Sequence, residues 1–430
     1  MKATRTRTAQ PRAPRRWRTP PPLTRGSAET LEGMEILREV PGETGVLLWQ
    51  AYRNVMFWAT AESQERGRLF ASDAGQRRLE DLLSADVPTE ILDSLVAVGR
   101  LISAPEATSG EVIAESCQTI AEWAEKSGYD ATALAYIQAA ALGSPRSSTL
   151  AFAVGQQARH RGEMPRAETW FRHAIMIARQ TGDWESYGRA YLALGNMARD
   201  RGNFPLAQRM HIKALRSGKR KGLAQIVGRA SHDLFVIATD TGRTEQAEHF
   251  ARQAFRAYGT DNQALPALAH DIAYSWMNQG YFARALQVFD ALLPLFSDIQ
   301  HQLIVRANII RSAGGAGDRE RFRKIWNEAM KLTREPAAYP VVAESLLEMA
   351  RGAASMGEWD RAEQVAERAI AVASERNEPK ILVRGEGILE SIRNGRSVEK
   401  AVAARSSRGA DVGDSLASEM VRSLSSYAGV

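Results

Sequence analysis

From about residue 111 to residue 395 the apolar positions recur three and four apart, in stretches long enough for a helix, and short polar breaks separate the stretches. "AYLALGNMARDRGNFPLAQRMHIKAL", from Ala190 to Leu215, shows the unit: an apolar stripe, a polar break around Gly202, and a second stripe. The pattern predicts an all-α chain built from helical hairpins.

The breaks fall into register when aligned on glycine. Gly128, Gly162, Gly202, Gly242, Gly280, Gly317 and Gly357 are separated by 34, 40, 40, 38, 37 and 40 residues. Five positions after each glycine stand Ala133, Ala167, Ala207, Ala247, Ala285, Phe322 and Ala362; seven further on stand Ala140, Ala174, Ala214, Ala254, Leu292, Ala329 and Ala369. A seven-residue step is two helical turns, so both small residues lie on one stripe, where a neighbouring helix can approach closely. A third packing position, seven before each glycine, holds Ala121, Gly155, Gly195, Phe235, Ala273, Ile310 and Ala350. The glycine supplies a left-handed C-cap, and Pro165 and Pro205 stand where a second helix begins and needs no backbone donor. Each hairpin leaves an apolar face that only the next one covers, which predicts a solenoid. The bulky Phe235, Ile310 and Phe322 predict wider helix crossings in their units or a bend of the superhelix there.

These spacings resemble the tetratricopeptide repeat, in the extended-helix subclass with repeats of about 40 residues found in bacterial regulators and adaptors. The resemblance implies a right-handed α-solenoid of about seven hairpins over residues 111–395, and a concave groove lined by the first helix of each hairpin. Groove positions recur thirteen, ten, six and three residues before the glycine. They give Gln156, Arg159, Arg189, Asn196, Arg199, Arg229, His232, His270, Tyr274, Arg311 and Arg351, with Glu115, Glu122 and Glu125 in the first unit. A mostly basic groove suits an acidic or extended peptide, since guanidinium donates bidentately to carboxylate and an amide both donates and accepts. The implied function is a non-enzymatic protein–protein interaction adaptor.

Residues 27–110 are helical without a repeat and read as an N-terminal cap or degenerate hairpins; residues 396–430 read as a flexible tail. Within that tail "DSLASEMVRSLSSYAGV" offers an amphipathic alternative through Leu416, Met420 and Leu424.

Charge is uneven. Residues 1–26 hold eight basic residues, five prolines and no acid, so this tail is expected to be disordered and to make weak, salt-dependent contact with nucleic acid or an anionic surface. The remainder has 48 basic against 50 acidic residues. A second basic run spans residues 201–232, with Arg209, Lys213, Arg216, Lys219, Arg220 and Lys221 as a patch for an acidic partner or a nucleic-acid backbone, or else a solvated helix face. These features support an alternative: a ligand- or peptide-sensing regulator with nucleic-acid contact through its tail.

Chemistry is sparse. Cys117 is the single cysteine, which excludes an intramolecular disulfide and multi-cysteine metal sites. "SGKRKG", from Ser217, has the wrong spacing for a phosphate loop, and HExxH and nucleophile-elbow motifs do not occur. The pairs His232-Asp233 and His270-Asp271 resemble metal-dependent phosphohydrolase ligands, yet they occupy one register position in neighbouring units, which repeat homology explains. No cofactor or metal is expected. The apolar window from Val46 is too short to span a bilayer and no secretory signal is evident, so the cytoplasm is the expected location.

Overall fold

A computed structural model describes residues 33–62, 64–71, 73–260, 262–396, 398–399 and 407–427; the expected basic tail, 1–26, lies outside these. The described residues form twenty α-helices with short 3-10 segments and no strand, the all-α solenoid that the spacing predicts. No helix among them is long and apolar enough to cross a membrane. Two compact units divide the chain between Asn203 and Phe204.

The first unit contains α1 (Met34–Glu39), α2 (Gly42–Thr60), α3 (Ala74–Ser84), α4 (Thr89–Ser103), α5 (Gly110–Lys126), α6 (Asp130–Gly143), α7 (Ser148–His160), α8 (Met164–Thr181) and α9 (Trp184–Asp200). The second contains α10 (Phe204–Lys221), α11 (Ala224–Asp240), α12 (Thr244–Tyr258), α13 (Leu265–Asn278), α14 (Phe282–Leu292), α15 (Ile299–Ala316), α16 (Arg319–Leu332), α17 (Val342–Ser355), α18 (Trp359–Glu375), α19 (Pro379–Arg393) and α20 (Ser407–Tyr427).

All seven register glycines have φ between 70° and 84°. At Gly162 the turn closes by two bonds, from Gly162 N to the Arg159 carbonyl (2.9 Å) and from Glu163 N to the Ala158 carbonyl (2.8 Å), which satisfy carbonyls left over at the end of α7. The small-residue positions five and twelve after each glycine are all buried, as are those seven before it. Gly155 shows why size matters there: a Cβ at this position would stand 2.6 Å from the Phe171 ring of α8.

Phe235, Ile310 and Phe322 are buried, Phe322 against Trp326. Beside Ile310 the chain nevertheless comes close to the next repeat. There α15 and α17 meet backbone to backbone, because Gly314 and Gly352 face one another: a Cβ on Gly314 would lie 2.3 Å from the Gly352 carbonyl oxygen. The close approach runs from the Ile310 backbone to Gly314, because Gly352 also lies against the Ile310 carbonyl.

Ahead of the first hairpin, α1 and α2 pack on α6, and α4 on α5. Glu39, at the end of α1, accepts from the backbone N–H of Ala131 (2.8 Å) and Thr132 (2.7 Å) and from the Thr132 hydroxyl (2.9 Å). A carboxylate from a distant helix thus caps α6, where the helix dipole favours negative charge.

The C-terminus departs from the expected flexible tail. Residues 407–427 form α20, which buries Leu416, Ala417, Met420 and Leu424 against α13 and α14. An apolar stripe at four-residue spacing needs such a surface, and the second unit provides it.

Candidate functional site

In the first unit, α5, α7 and α9 are the first helices of their repeats, and the predicted groove residues lie on them. Ser147 caps α7, and Asp183 caps α9 by accepting from Ser186 N (3.0 Å). The Ser148 hydroxyl also donates to Asp183 (2.6 Å), which ties the start of α7 to the start of α9. Burial alone would raise the Asp183 carboxyl, but bonds from Ser148, Ser186 and Glu185 N hold it below its usual value. Near the other end, Arg159 pairs with Asp200 at 2.9 Å. Arg189 lies over the Phe152 ring, 4.5 Å from its centroid.

Between α5, α6 and α7 lies an open concavity of about 220 Å³. Gln118, Glu122 and Glu125 of α5 face Gln156, Gln157 and His160 of α7 across a floor of Ala133 and Ile137. Along α9, Asn196 stands at the register position that Gln156 holds on α7. Its Oδ1 is buried and accepts no hydrogen bond among the described residues. This surface is rich in amides and carboxylates rather than uniformly basic.

In the second unit Arg229 is exposed on α11. His232 and His270 both donate to Asp271 (3.0 and 3.3 Å), and Asn308 Nδ2 donates to His270 Nε2 (3.2 Å). Burial would raise the Asp271 carboxyl, but the two imidazoles hold it well below the carboxylate range. Asp233 instead lies 3.4 Å from the buried His211. His232, His270 and Asp271 thus meet while Asp233 does not join them, and no cluster of three or more His, Cys, Asp or Glu able to hold a metal occurs among the described residues.

Tyr274, Arg311 and Arg351 share one register position on α13, α15 and α17, and here they meet. Arg311 is fully buried. Its Nη1 donates to Glu348 (2.7 Å) and Asn278 (2.8 Å), and its Nε and Nη2 grip Glu399 bidentately (2.8 and 2.9 Å). Arg351 donates to Glu399 (2.8 Å) and to the Val398 carbonyl (3.3 Å). Arg384 of α19 bonds Glu344 (3.0 Å) and Glu348 (2.7 Å), and the Tyr274 hydroxyl reaches Glu348 at 3.4 Å. Burial opposes charge on both sides, yet Arg311, Arg351 and Arg384 hold the Glu348 carboxyl below its usual value, while Glu399 and Glu348 hold the Arg311 guanidinium raised.

The repeat register puts Arg311 and Arg351 on this surface as open groove residues; the structure buries Arg311 and pairs both. Glu348, Asn278, Arg384 and Glu399 belong to the same cluster and are not among the predicted groove residues. A lone carboxylate inside the apolar run "SLLEMARGAA" marks Glu348, whereas no local signal marks Glu399.

The basic patch is on α10: Arg209, Lys213, Arg216, Lys219, Arg220 and Lys221 lie along it, and the spacing of Arg209, Lys213, Arg216 and Arg220 puts those four on one stripe.

A tetratricopeptide repeat family model matches residues 146–220, and a second matches residues 345–380. No curated protein matches the chain in sequence. Among solved structures, a signal transduction ATPase with numerous domains and a tetratricopeptide repeat sensor, from Pyrococcus horikoshii, is 13% identical (TM-score 0.47), covering 85% of this chain and 56% of that one. A Rap protein complexed with competence and sporulation factor is 11% identical (TM-score 0.33), covering 82% and 98%. BtubC from P. vanneervenii is 15% identical (TM-score 0.40), covering 53% and 92%. Residues 146–220 and 345–380 thus match tetratricopeptide repeats, and the seven left-handed glycine turns continue one register through and between the two segments.

Proposed function

We propose that the chain is a non-enzymatic adaptor that holds an extended segment of another protein along the inner faces of its first-position helices. The observation that carries this reading is the concavity between α5 and α7, whose walls present side-chain amides and carboxylates over an apolar floor. Amides at successive turns can both donate to and accept from an extended main chain. Asn196, with a buried acceptor left unmatched, continues the row on α9. Arg159 is matched by Asp200, but Arg189 and Arg199 share α9 with Asn196, and these cations favour a segment carrying acidic residues. A Rap protein and the TPR2AB domain of yeast Sti1 were solved in complex with competence and sporulation factor and with pHSP90 respectively, and a comparable use of a helical-repeat surface is proposed here.

Affinity capture from the native cell, with partners identified by mass, tests the proposal. A Gln156→Ala, Arg159→Ala, Asn196→Ala variant should lose its specific partners at least tenfold, while an Arg172→Ala, Arg179→Ala control on α8 keeps them. Identical partner sets for all three proteins would remove the groove assignment.

A further inference from the structure

The surface made by Tyr274, Arg311 and Arg351 is already covered, and the cover is the chain's own C-terminal part. After α19 the backbone turns at Gly395 (φ 61°), and Val398 and Glu399 then lie against α15 and α17. The Glu399 carboxylate is held by Arg311 and Arg351, and the Val398 carbonyl accepts from Arg351. Farther on, Asp414 accepts from Arg284 Nε at 2.9 Å, and α20 seats Leu416, Ala417, Met420 and Leu424 on α13 and α14.

Charge shows what this surface requires. The repeats and α19 gather three guanidiniums, Arg311, Arg351 and Arg384, around two carboxylates, Glu344 and Glu348. Glu399 supplies the third carboxylate. Without Glu399, Arg311 keeps Glu348 and Asn278 on Nη1 but loses the acceptor for Nε and Nη2, and Arg351 keeps, of carboxylates, only Glu348 at 3.9 Å, so the hairpins leave donors for an acid from elsewhere. The manner of contact is also that of a bound peptide: a main-chain carbonyl and a bidentate carboxylate in one short stretch, then a helix anchored at four-residue spacing.

We propose that Val398, Glu399 and α20 are an internal stand-in for a partner, and that this surface binds, in competition with them, a protein segment that sets a carboxylate between Arg311 and Arg351 and lays an amphipathic helix on α13 and α14. This deepens the adaptor reading and rests on it, adding the chemistry of one partner segment and a regulation. The surface stays closed until a segment with matching contacts displaces the tethered one. Tethering gives the internal segment an effective concentration on the order of millimolar, so a free copy with the same contacts competes poorly with the intact chain.

The probe is a labelled synthetic peptide of residues 394–427. It is titrated into the full-length chain and into a full-length Glu399→Lys, Asp414→Lys variant whose fold is checked by circular dichroism and thermal melting. The variant should bind the peptide at least tenfold more tightly than wild type, and a peptide carrying Glu399→Lys should bind neither. If the variant does not fold, hydrogen exchange on the wild-type chain decides: peptide in excess of the tether's effective concentration should speed exchange of the α20 amides, and the Glu399→Lys peptide should not. Equal binding by wild type and folded variant, no binding by the folded variant, equal action of the two peptides, or an α20 exchange rate unmoved by excess peptide overturns the proposal. The altered residues lie outside α5, α7 and α9, so the outcome is independent of the capture experiment on those helices.

Discussion

Glu348 is the residue on which the inner face of the second unit turns. It is 2% exposed and takes charge from Arg311, Arg384 and, at 3.9 Å, Arg351. Removing one member of a buried pair leaves the other uncompensated, at a cost of about 3–5 kcal/mol. Arg311→Ala should therefore lower stability by about that amount in chemical denaturation, well beyond the effect of removing an exposed partner such as Arg172, where the median pair contributes about 0–1 kcal/mol. The pH dependence has a definite sign. Because the Glu348 carboxyl is held below its ordinary 4.5 in the folded state, the unfolded chain binds its proton more readily. Its stabilisation is complete above that ordinary value and is lost as pH falls through the depressed one. Glu348→Gln should flatten this acid limb of the stability curve, and an unchanged limb would mean that other carboxylates set it. Arg311 and Arg351 are legible from the register, since each stands six residues before its glycine. Their partner Glu399 is not, because it lies 88 residues from Arg311 in a stretch whose composition is that of a loose tail. Pairing across such a distance is set by the stacking of the hairpins, which leaves no trace in local sequence.

At the scale of the helical hairpin, two kinds of glycine separate by what surrounds them. A Cβ added at Gly202 would meet nothing within 4 Å, so alanine there carries only the backbone cost of a left-handed conformation, about 1–2 kcal/mol. At Gly352 a Cβ would stand 2.6 Å from the Ile310 carbonyl oxygen and 2.9 Å from the Arg311 Cα, atoms of another helix backbone that cannot swing aside. Gly352→Ala should cost about 3 kcal/mol or more, toward the upper end of overpacking, and exceed Gly202→Ala in paired denaturation curves. The reverse order would show that α15 and α17 are free to separate. The first glycine of each repeat is plain in the sequence because it recurs with small residues at fixed distances. The second turn of the repeat is harder to see: Gly182 and Gly222 follow Gly162 and Gly202 by twenty positions with φ of 79° and 67°, and Asn377 follows Gly357 by the same interval with φ of 60°. Asparagine is among the few non-glycine residues that visit this region routinely, so the position is kept while the residue changes. The close approach of α15 and α17 beside Ile310 has a related cause. A bulky residue at one packing position suggests separation, whereas Gly314 and Gly352 restore contact beside it.

For the molecule as a whole, the fold is readable because a solenoid repeats one local solution, so every unit votes for the same register. Function is less readable, since the residues that set the repeat are packing residues and the inner face is free to vary. The register suggests a single basic groove. In the first unit the structure shows amides and carboxylates around a concavity, and in the second guanidiniums already matched by Glu348 and Glu399. Counting arginines on a predicted face overstates its charge when the acids that neutralise them arrive from other helices. Site-specific photocrosslinking in the native cell shows whether a partner is held on the inner face of the first-position helices. A photoreactive residue is placed in turn at Gln156 and Asn196 on the inner face and at Arg172 and Arg179 on α8. The two inner positions should capture one and the same segment of a partner and the α8 positions none of it; capture from α8 with nothing from Gln156 or Asn196 would contradict a partner held on the inner face.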